Sequence, residues 1–319
     1  MAEEVVTRKS RAVENHIIAI GGGKGGTGKS LITASIGICL ADRGNEVLLV
    51  DADLGAANLH TFLGLEPPQI SLSDFITKEK AAIDGVIIKT GINNLKLICG
   101  AKDMIGMANI AYGQKVKILN NIKKLNYRYI LIDLGPGMSF NVLDFLLISN
   151  CGILITSPEP TSIENTYRFM RGILFRYLRN RISQKVVKSL IDKEVRQGDG
   201  KRFASVFDLL EAIERIEPSL GDDIARYLST LDIKLIVNQA RTERDRAIGQ
   251  KMAISAMKYL GIPVDFLGSI SYDHNVRKSL FQKKPLMSYF SHSEAFKEIT
   301  EISQKISPRY QLGINFSPD

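Results

Sequence analysis

The residues Gly22-Gly23-Lys24-Gly25-Gly26-Thr27-Gly28-Lys29-Ser30 decide the fold of this chain. Counted from Gly23 to Ser30, they satisfy the P-loop spacing of glycine, four residues, glycine, lysine, then serine or threonine. The apolar run His16-Ile17-Ile18-Ala19-Ile20 precedes them, and an amphipathic stretch over Lys29–Asp42 follows. Strand, glycine loop and helix in that order make a phosphate cradle. Glycines let backbone N–H groups turn inward, and the helix N-terminus adds its positive dipole end. In such a cradle Lys29 reaches the β- and γ-phosphates, and the Ser30 hydroxyl ligates the magnesium that bridges them.

Two more apolar runs end in acids. Val47-Leu48-Leu49-Val50 leads into Asp51-Ala52-Asp53-Leu54-Gly55-Ala56-Ala57-Asn58-Leu59. Tyr129-Ile130-Leu131-Ile132 leads into Asp133-Leu134-Gly135-Pro136-Gly137. Unbroken apolar runs of this length read as buried parallel strands, and ligands of doubly wound sheets sit at the carboxyl ends of such strands. Asp51, Asp53 and Asp133 therefore face the phosphate site, where buried unpaired carboxylates call for a cation. A later run, Leu235-Ile236-Val237, ends in Asn238. Its amide offers a donor and an acceptor edge suited to adenine, and capping of the helix after Arg241 is the competing reading.

The additional lysine, Lys24, gives a Lys-Gly-Gly-x-Gly-Lys-Ser loop that resembles the deviant P-loop of the MinD/ParA ATPases. The two acidic segments resemble that family's switch I, Asp-x-Asp-x-Gly-x-x-Asn-Leu, and its switch II, Asp-x-x-x-Gly. The resemblance implies a homodimer that closes on two ATP molecules, with Lys24 acting on the partner's nucleotide. It implies that Gly23, Gly25, Gly26, Thr27, Gly28, Lys29 and Ser30 hold phosphate. Asp53 would orient or deprotonate the attacking water and join the metal site, while Asp51 would support the metal shell and Asn58 complete switch I. Asp133 would hold magnesium through water, the Gly137 amide would sense the γ-phosphate, and Asn238 would read adenine. Without the family, Lys24 would be a solvated loop lysine.

Composition agrees with a soluble, cytoplasmic enzyme. Hydrophobic residues make up 45 % of 319, and no apolar run approaches the roughly 20 residues of a membrane span. Cys39, Cys99 and Cys151 are far apart in apolar contexts and read as buried thiols in a reducing compartment. No Cys-x-x-Cys occurs, and the loop after Asp133 has no cysteine, which argues against iron–sulfur and zinc-clasped relatives. Magnesium carried in with ATP is the one metal expected.

The expected architecture is α/β: a doubly wound, mostly parallel sheet with a helical insertion late in the chain. Strands are expected at 16–20, 46–51, 95–99, 129–133, 152–156, 233–237 and 264–270, with helices at 116–125 and 142–149. Residues 1–15 read as a disordered tail, 16–306 as a single P-loop ATPase domain and 307–319 as a second tail. Between 168 and 230 apolar residues recur only at helical spacing, Gln197-Gly198-Asp199-Gly200 interrupts, and Pro218 sits where a new helix would start. This places the insertion at about 178–231.

Over 168–202 eleven Lys or Arg stand against Asp192, Glu194 and Asp199, a local excess equal to the formal net charge of +8 for the whole chain. Such a face is either simply solvated or meets an acidic protein, anionic lipid or non-specific DNA. It has no recognition-helix signature, so sequence-specific nucleic-acid binding is not expected.

Beyond the loops, Met138-Ser139-Phe140 and Thr156-Ser157-Pro158-Glu159-Pro160-Thr161-Ser162 resemble the FlhG/FleN branch of MinD-type ATPases. That branch implies control of flagellar number or placement and a partner such as a flagellar GTPase or polar machinery, at the inner face of the membrane or the cell pole. Three departures bear on this. Leu31 stands where many relatives carry a second threonine. The first residues lack the Asp-Gln-Ala motif used to stimulate a partner GTPase. The segment 295–306 has apolar spacing, but Glu294, Glu298 and Glu301 make it a poor membrane helix and a better lid for the sheet. A ParA-like ATPase riding on DNA and a non-hydrolysing nucleotide-bound scaffold are the alternative functions.

Overall fold

The computed structural model describes residues 15–77, 82–100, 112–181, 206–215 and 218–306. The expected tails apart from Asn15, the Gln197-Gly198-Asp199-Gly200 interruption and most of the basic stretch lie outside the described residues. Among the described residues the strands are β1 (His16–Gly21), β2 (Val47–Asp51), β3 (Ile87–Lys89), β4 (Leu95–Ile98), β5 (Tyr129–Asp133), β6 (Cys151–Thr156), β7 (Ile233–Ala240) and β8 (Val264–Ser271). They form one sheet in the order β3-β4-β2-β5-β1-β6-β7-β8. Every neighbouring pair is parallel except β3 against β4. β3 was not expected: three residues at an edge, none of them buried, give no periodicity to read.

Every residue of β1, β2, β5 and β6 is buried. Such strands need helices on both faces, because each buried aliphatic side chain gains about 1.5–3 kcal/mol by leaving water. One face is covered by α1 (Lys29–Asp42), together with α2 (Leu59–Phe62), α12 (Leu286–Tyr289) and α13 (Glu294–Gln304). The other carries α3 (Leu72–Ile76), α4 (Tyr112–Ile122), α5 (Phe140–Leu147), α6 (Pro160–Arg181), α7 (Val206–Glu214), α8 (Pro218–Thr230) and α10 (Ile248–Leu260). Two short helices, α9 (Glu243–Arg246) and α11 (His274–Phe281), follow β7 and β8.

One helix face and two boundaries differ from the sequence expectation for physical reasons. The sequence reads α1 as amphipathic, yet twelve of its fourteen residues are buried. The cause is α13, which lies across its outer side, with Arg43 donating to the Ser303 carbonyl at 3.1 Å and hydroxyl at 2.7 Å. α5 begins two residues before the expected 142, because the Ser139 hydroxyl caps it by accepting from Val142 N. α4 runs over Tyr112–Ile122 rather than 116–125, and the chain turns after Ile122. Between β6 and β7 the described elements are α6, α7 and α8, all helical, and α8 begins at Pro218. Helix α13 buries Ala295, Ile299 and Ile302 against β8 and α1 and so lies on the sheet.

Candidate nucleotide site

The glycine loop joins β1 to α1 at the carboxyl edge of the sheet. Its backbone is left-handed at Gly26 (φ +78°) and at Gly28 (φ +90°), the residue before α1. A Cβ on Gly28 would lie 2.3 Å from Asn238 Nδ2, and one on Gly23 would lie 2.2 Å from the Asn165 carbonyl oxygen of α6. No side chain fits at either place, so the loop is pressed between β7 and α6. The Thr27 hydroxyl is buried and has no hydrogen-bond partner among the described residues. A buried donor left in that state fits a loop shaped for an acceptor such as phosphate.

Lys29 is 8 % exposed, and its ammonium donates a long bond, 3.3 Å, to the Lys24 carbonyl. Burial pushes its pKa down, while Asp133 and Asp53 pull it up. Asp133 ends β5 beside Lys29, fully buried. It accepts hydrogen bonds from the hydroxyls of Ser30 and Thr33, the latter at 3.1 Å. Burial nevertheless raises its pKa to about 6. Thr33 was missed in the sequence. It stands four residues after Lys29, one helical turn on, and that spacing was the available signal.

Asp51 pairs in register with Asp133 on the adjacent strand. Its oxygens accept from Asp53 N at 3.1 Å and Leu59 N at 3.0 Å, so the carboxyl group organises the backbone after β2. Burial first, then the Asp133 charge, raise its pKa to about 8. Asp53 is half-buried; it accepts from Ala56 N at 3.2 Å, and its carboxyl lies against Gly135 of the switch II loop. Asn58 is exposed at the start of α2 and its side chain caps nothing. Gly137 is left-handed (φ +85°) at the open end of switch II, and Gly25 approaches Pro136 of the same loop. A cleft of about 170 Å³ separates the loops after β2 and β5, between Asp53 and Leu54 on one side and Leu134, Pro136 and Val142 on the other.

Lys24 turns back onto its own subunit, where its ammonium meets Glu159 at 2.6 Å and the Thr161 hydroxyl at 3.4 Å. Both side chains of that ion pair are largely exposed, 40 % and 59 %. Asn238 donates from Nδ2 to the Thr27 carbonyl at 2.8 Å, and Gln239, itself left-handed (φ +64°), donates to the Gly26 carbonyl at 3.1 Å. The capping alternative for Asn238 is thus overturned: Thr242 and Asp245 cap α9 instead. Gln239 is a second residue the sequence reading missed; only its place after Asn238 pointed to it.

The donor set suits magnesium bound together with phosphate. Asp53 and Asp133 act on Lys29, and Asp51 lies against Asp133, an acidic excess that a cation relieves. No cluster of three His, Cys, Asp or Glu among the described residues would cage a metal alone. Magnesium characteristically takes one or two protein ligands and fills the rest with phosphate oxygens and water.

A glycine cradle at a helix N-terminus, a buried lysine and strand-end acids in a doubly wound sheet define a P-loop nucleotide-binding domain. The chain belongs to the CobQ/CobB/MinD/ParA nucleotide-binding domain family, whose description matches residues 18–286. It is similar to the antiactivator FleN of Pseudomonas aeruginosa, 23 % identical over 292 residues, 91 % of this chain and 85 % of FleN. It is also similar to the septum site-determining protein MinD of Helicobacter pylori, 31 % identical over 176 residues, which are 55 % of this chain and 65 % of that one. The fold is shared with MinD of Pyrococcus horikoshii solved with Mg-ADP, at a TM-score of 0.60 and 23 % identity, over 91 % of this chain and 95 % of that one. No helix among the described residues is long and apolar enough to cross a membrane.

Proposed function

We propose that the protein is a slow, dimerising ATPase switch. The observation that carries the reading is the meeting of Lys29, Ser30 and Asp133 at the foot of a glycine loop shaped for phosphate. In this reading the loop amides from Gly23 to Ser30 and the Lys29 ammonium bind the β- and γ-phosphates. Ser30 and Asp133, with Asp53 nearby, hold magnesium, which when bound neutralises phosphate charge. Asp53 orients the attacking water and takes its proton. Asp51 holds switch I in the shape that presents Asp53, and the Gly137 amide reports the γ-phosphate to switch II.

Lys24 acts on a second subunit's nucleotide. Its exposed pairing with Glu159 supports this, since such pairs contribute little and exchange readily. Asn238 reads the base: with Nδ2 engaged by the P-loop, its oxygen is left to accept from the adenine amino group. Similarity to FleN supports a regulatory task, which we assign to flagellar number or placement through a protein partner. Arg168 and Arg179, exposed on α6, favour non-specific DNA as the second reading.

Phosphate release from ATP tests the reading. Turnover should be slow, require magnesium and fall at least a hundred-fold in Lys24→Ala, Lys29→Ala or Asp53→Ala, in keeping with loss of a group that stabilises transition-state charge. Wild-type turnover in any of the three, with native circular dichroism, contradicts it.

A further inference from the structure

Helix α11 and the turn after it form a surface that the nucleotide site does not use. Between His274 and Ser293 the chain carries Arg277, Lys278, Lys283 and Lys284 and no acidic residue. On α11, His274, Arg277, Lys278 and Phe281 share one face at helical spacing, and all four are exposed. Phe281 is 74 % exposed, more than any other large apolar side chain among the described residues, and Tyr289 is 61 % exposed. Each has a cation beside its ring: the Arg277 guanidinium at 5.3 Å from Phe281, the Lys284 ammonium at 5.1 Å from Tyr289. Lys283 pairs with Glu66 at 2.5 Å, whereas Arg277, Lys278 and Lys284 make no ion pair among the described residues.

The surface is rigidly mounted. Ser279 is buried beneath α11, and Pro285, Leu286 and Met287 enter the core directly after the turn. Lys283 is left-handed (φ +50°), and its carbonyl sits so close to Gly64 that a Cβ there would approach to 2.5 Å. Asp273 accepts from Asn275 N at 2.7 Å, from the Ser293 hydroxyl at 2.5 Å and from Ala295 N at 3.3 Å, tying the start of α11 to the start of α13. Phe281 and Tyr289 are therefore held outward by a braced scaffold.

We propose that this face lies on anionic phospholipid. Phe281 and Tyr289 enter the headgroup region, and Arg277, Lys278 and Lys284 meet lipid phosphates. Two protruding aromatic tips, each with one cation beside its ring, match an interface that is apolar inside and negatively charged outside. A second copy apposed on the same face would set cation against cation. Nucleic acid suits the charge but not the rings: each already carries a cation of its own where a base would stack. The inference does not depend on ATP turnover.

Sedimentation of the full chain with vesicles tests it. Binding is expected to vesicles of phosphatidylglycerol and phosphatidylcholine mixed three to seven, not to pure phosphatidylcholine, and to fall as salt rises. Phe281→Ser should weaken it about ten-fold, the worth of one buried ring. The Arg277→Gln/Lys278→Gln double variant should weaken it about thirty-fold at low salt. Unchanged unfolding temperature and Mg-ATP binding in both variants would show that they fold. Equal binding to neutral vesicles, or anionic binding untouched by these substitutions, overturns the proposal. So does Phe281-dependent retardation of a short DNA duplex by a chain that ignores vesicles.

Discussion

Raising the pH should destabilise this protein when it lacks nucleotide and magnesium, and Asp51 is the reason. Its pKa is about 8 in the folded chain, against an ordinary 3.8. A carboxyl whose pKa rises on folding stabilises the fold while protonated, and that contribution is lost as the pH climbs through the folded value. Asp133, at about 6, has finished titrating by pH 7. His16 and His60, both pushed below 6.5 by burial, act in the opposite direction and only below that pH. Between pH 7 and 8 the slope is therefore set by Asp51. It approaches the limit of about 1.4 kcal/mol per unit, and about 1 kcal/mol is expected over the interval. Urea unfolding at pH 7.0, 7.5 and 8.0 measures it. In Asp51→Asn the slope should vanish. At pH 7 that variant should be about 1–2 kcal/mol less stable than wild type, because Asp53 N and Leu59 N donate to different Asp51 oxygens and asparagine sets a donor NH2 against one of them. By pH 8.5 the gap should have narrowed. Saturating Mg-ADP should flatten the wild-type slope by favouring the charged carboxylate. A wild-type stability that is level or rising from pH 7 to 8, parallel to Asp51→Asn, would refute the reasoning.

Other expectations concern the loop and its neighbours. Gly28→Ala places a Cβ against Asn238 in left-handed backbone, so nucleotide affinity measured by calorimetry should fall at least ten-fold while the sheet persists by circular dichroism. Glu159→Gln removes a largely exposed ion pair; the unfolding temperature should move by no more than 1–2 °C, since such pairs contribute about 1 kcal/mol at most, while Lys24 becomes free to cross to a partner and ATP-driven dimerisation strengthens. Asn238→Ala should raise the dissociation constant for ATP more than that for GTP, eroding the preference for adenine, and a preference unchanged in competition binding argues against that role.

The parts of this molecule legible in its sequence are those where burial leaves no choice of residue. Val47-Leu48-Leu49-Val50 and Tyr129-Ile130-Leu131-Ile132 can only be strands covered on both faces, and the acids that end them had to reach the same edge as the glycine loop. What escaped reading depends on contacts distant in the chain. The outer side of α1 looks solvent-facing until α13, more than two hundred residues later, covers it. Strand β3 exists only because β4 offers it an edge. For Thr33 and Gln239 the sequence offered only a spacing and an adjacency, and their partners, Asp133 and Gly26, lie far off in the chain. Lys24 was expected to reach away from its subunit, and here it rests on Glu159, a contact that no local pattern encodes.

The central claim is that ATP joins two copies of this chain, and light scattering of the purified protein tests it most directly. Mass should be that of one chain with ADP and of two with ATP and magnesium, most completely in Asp53→Ala, where the nucleotide is held unhydrolysed. Lys24→Ala should remain a single chain under all conditions. A mass indifferent to nucleotide in wild type and in Asp53→Ala would contradict the account and leave the protein a nucleotide-bound scaffold.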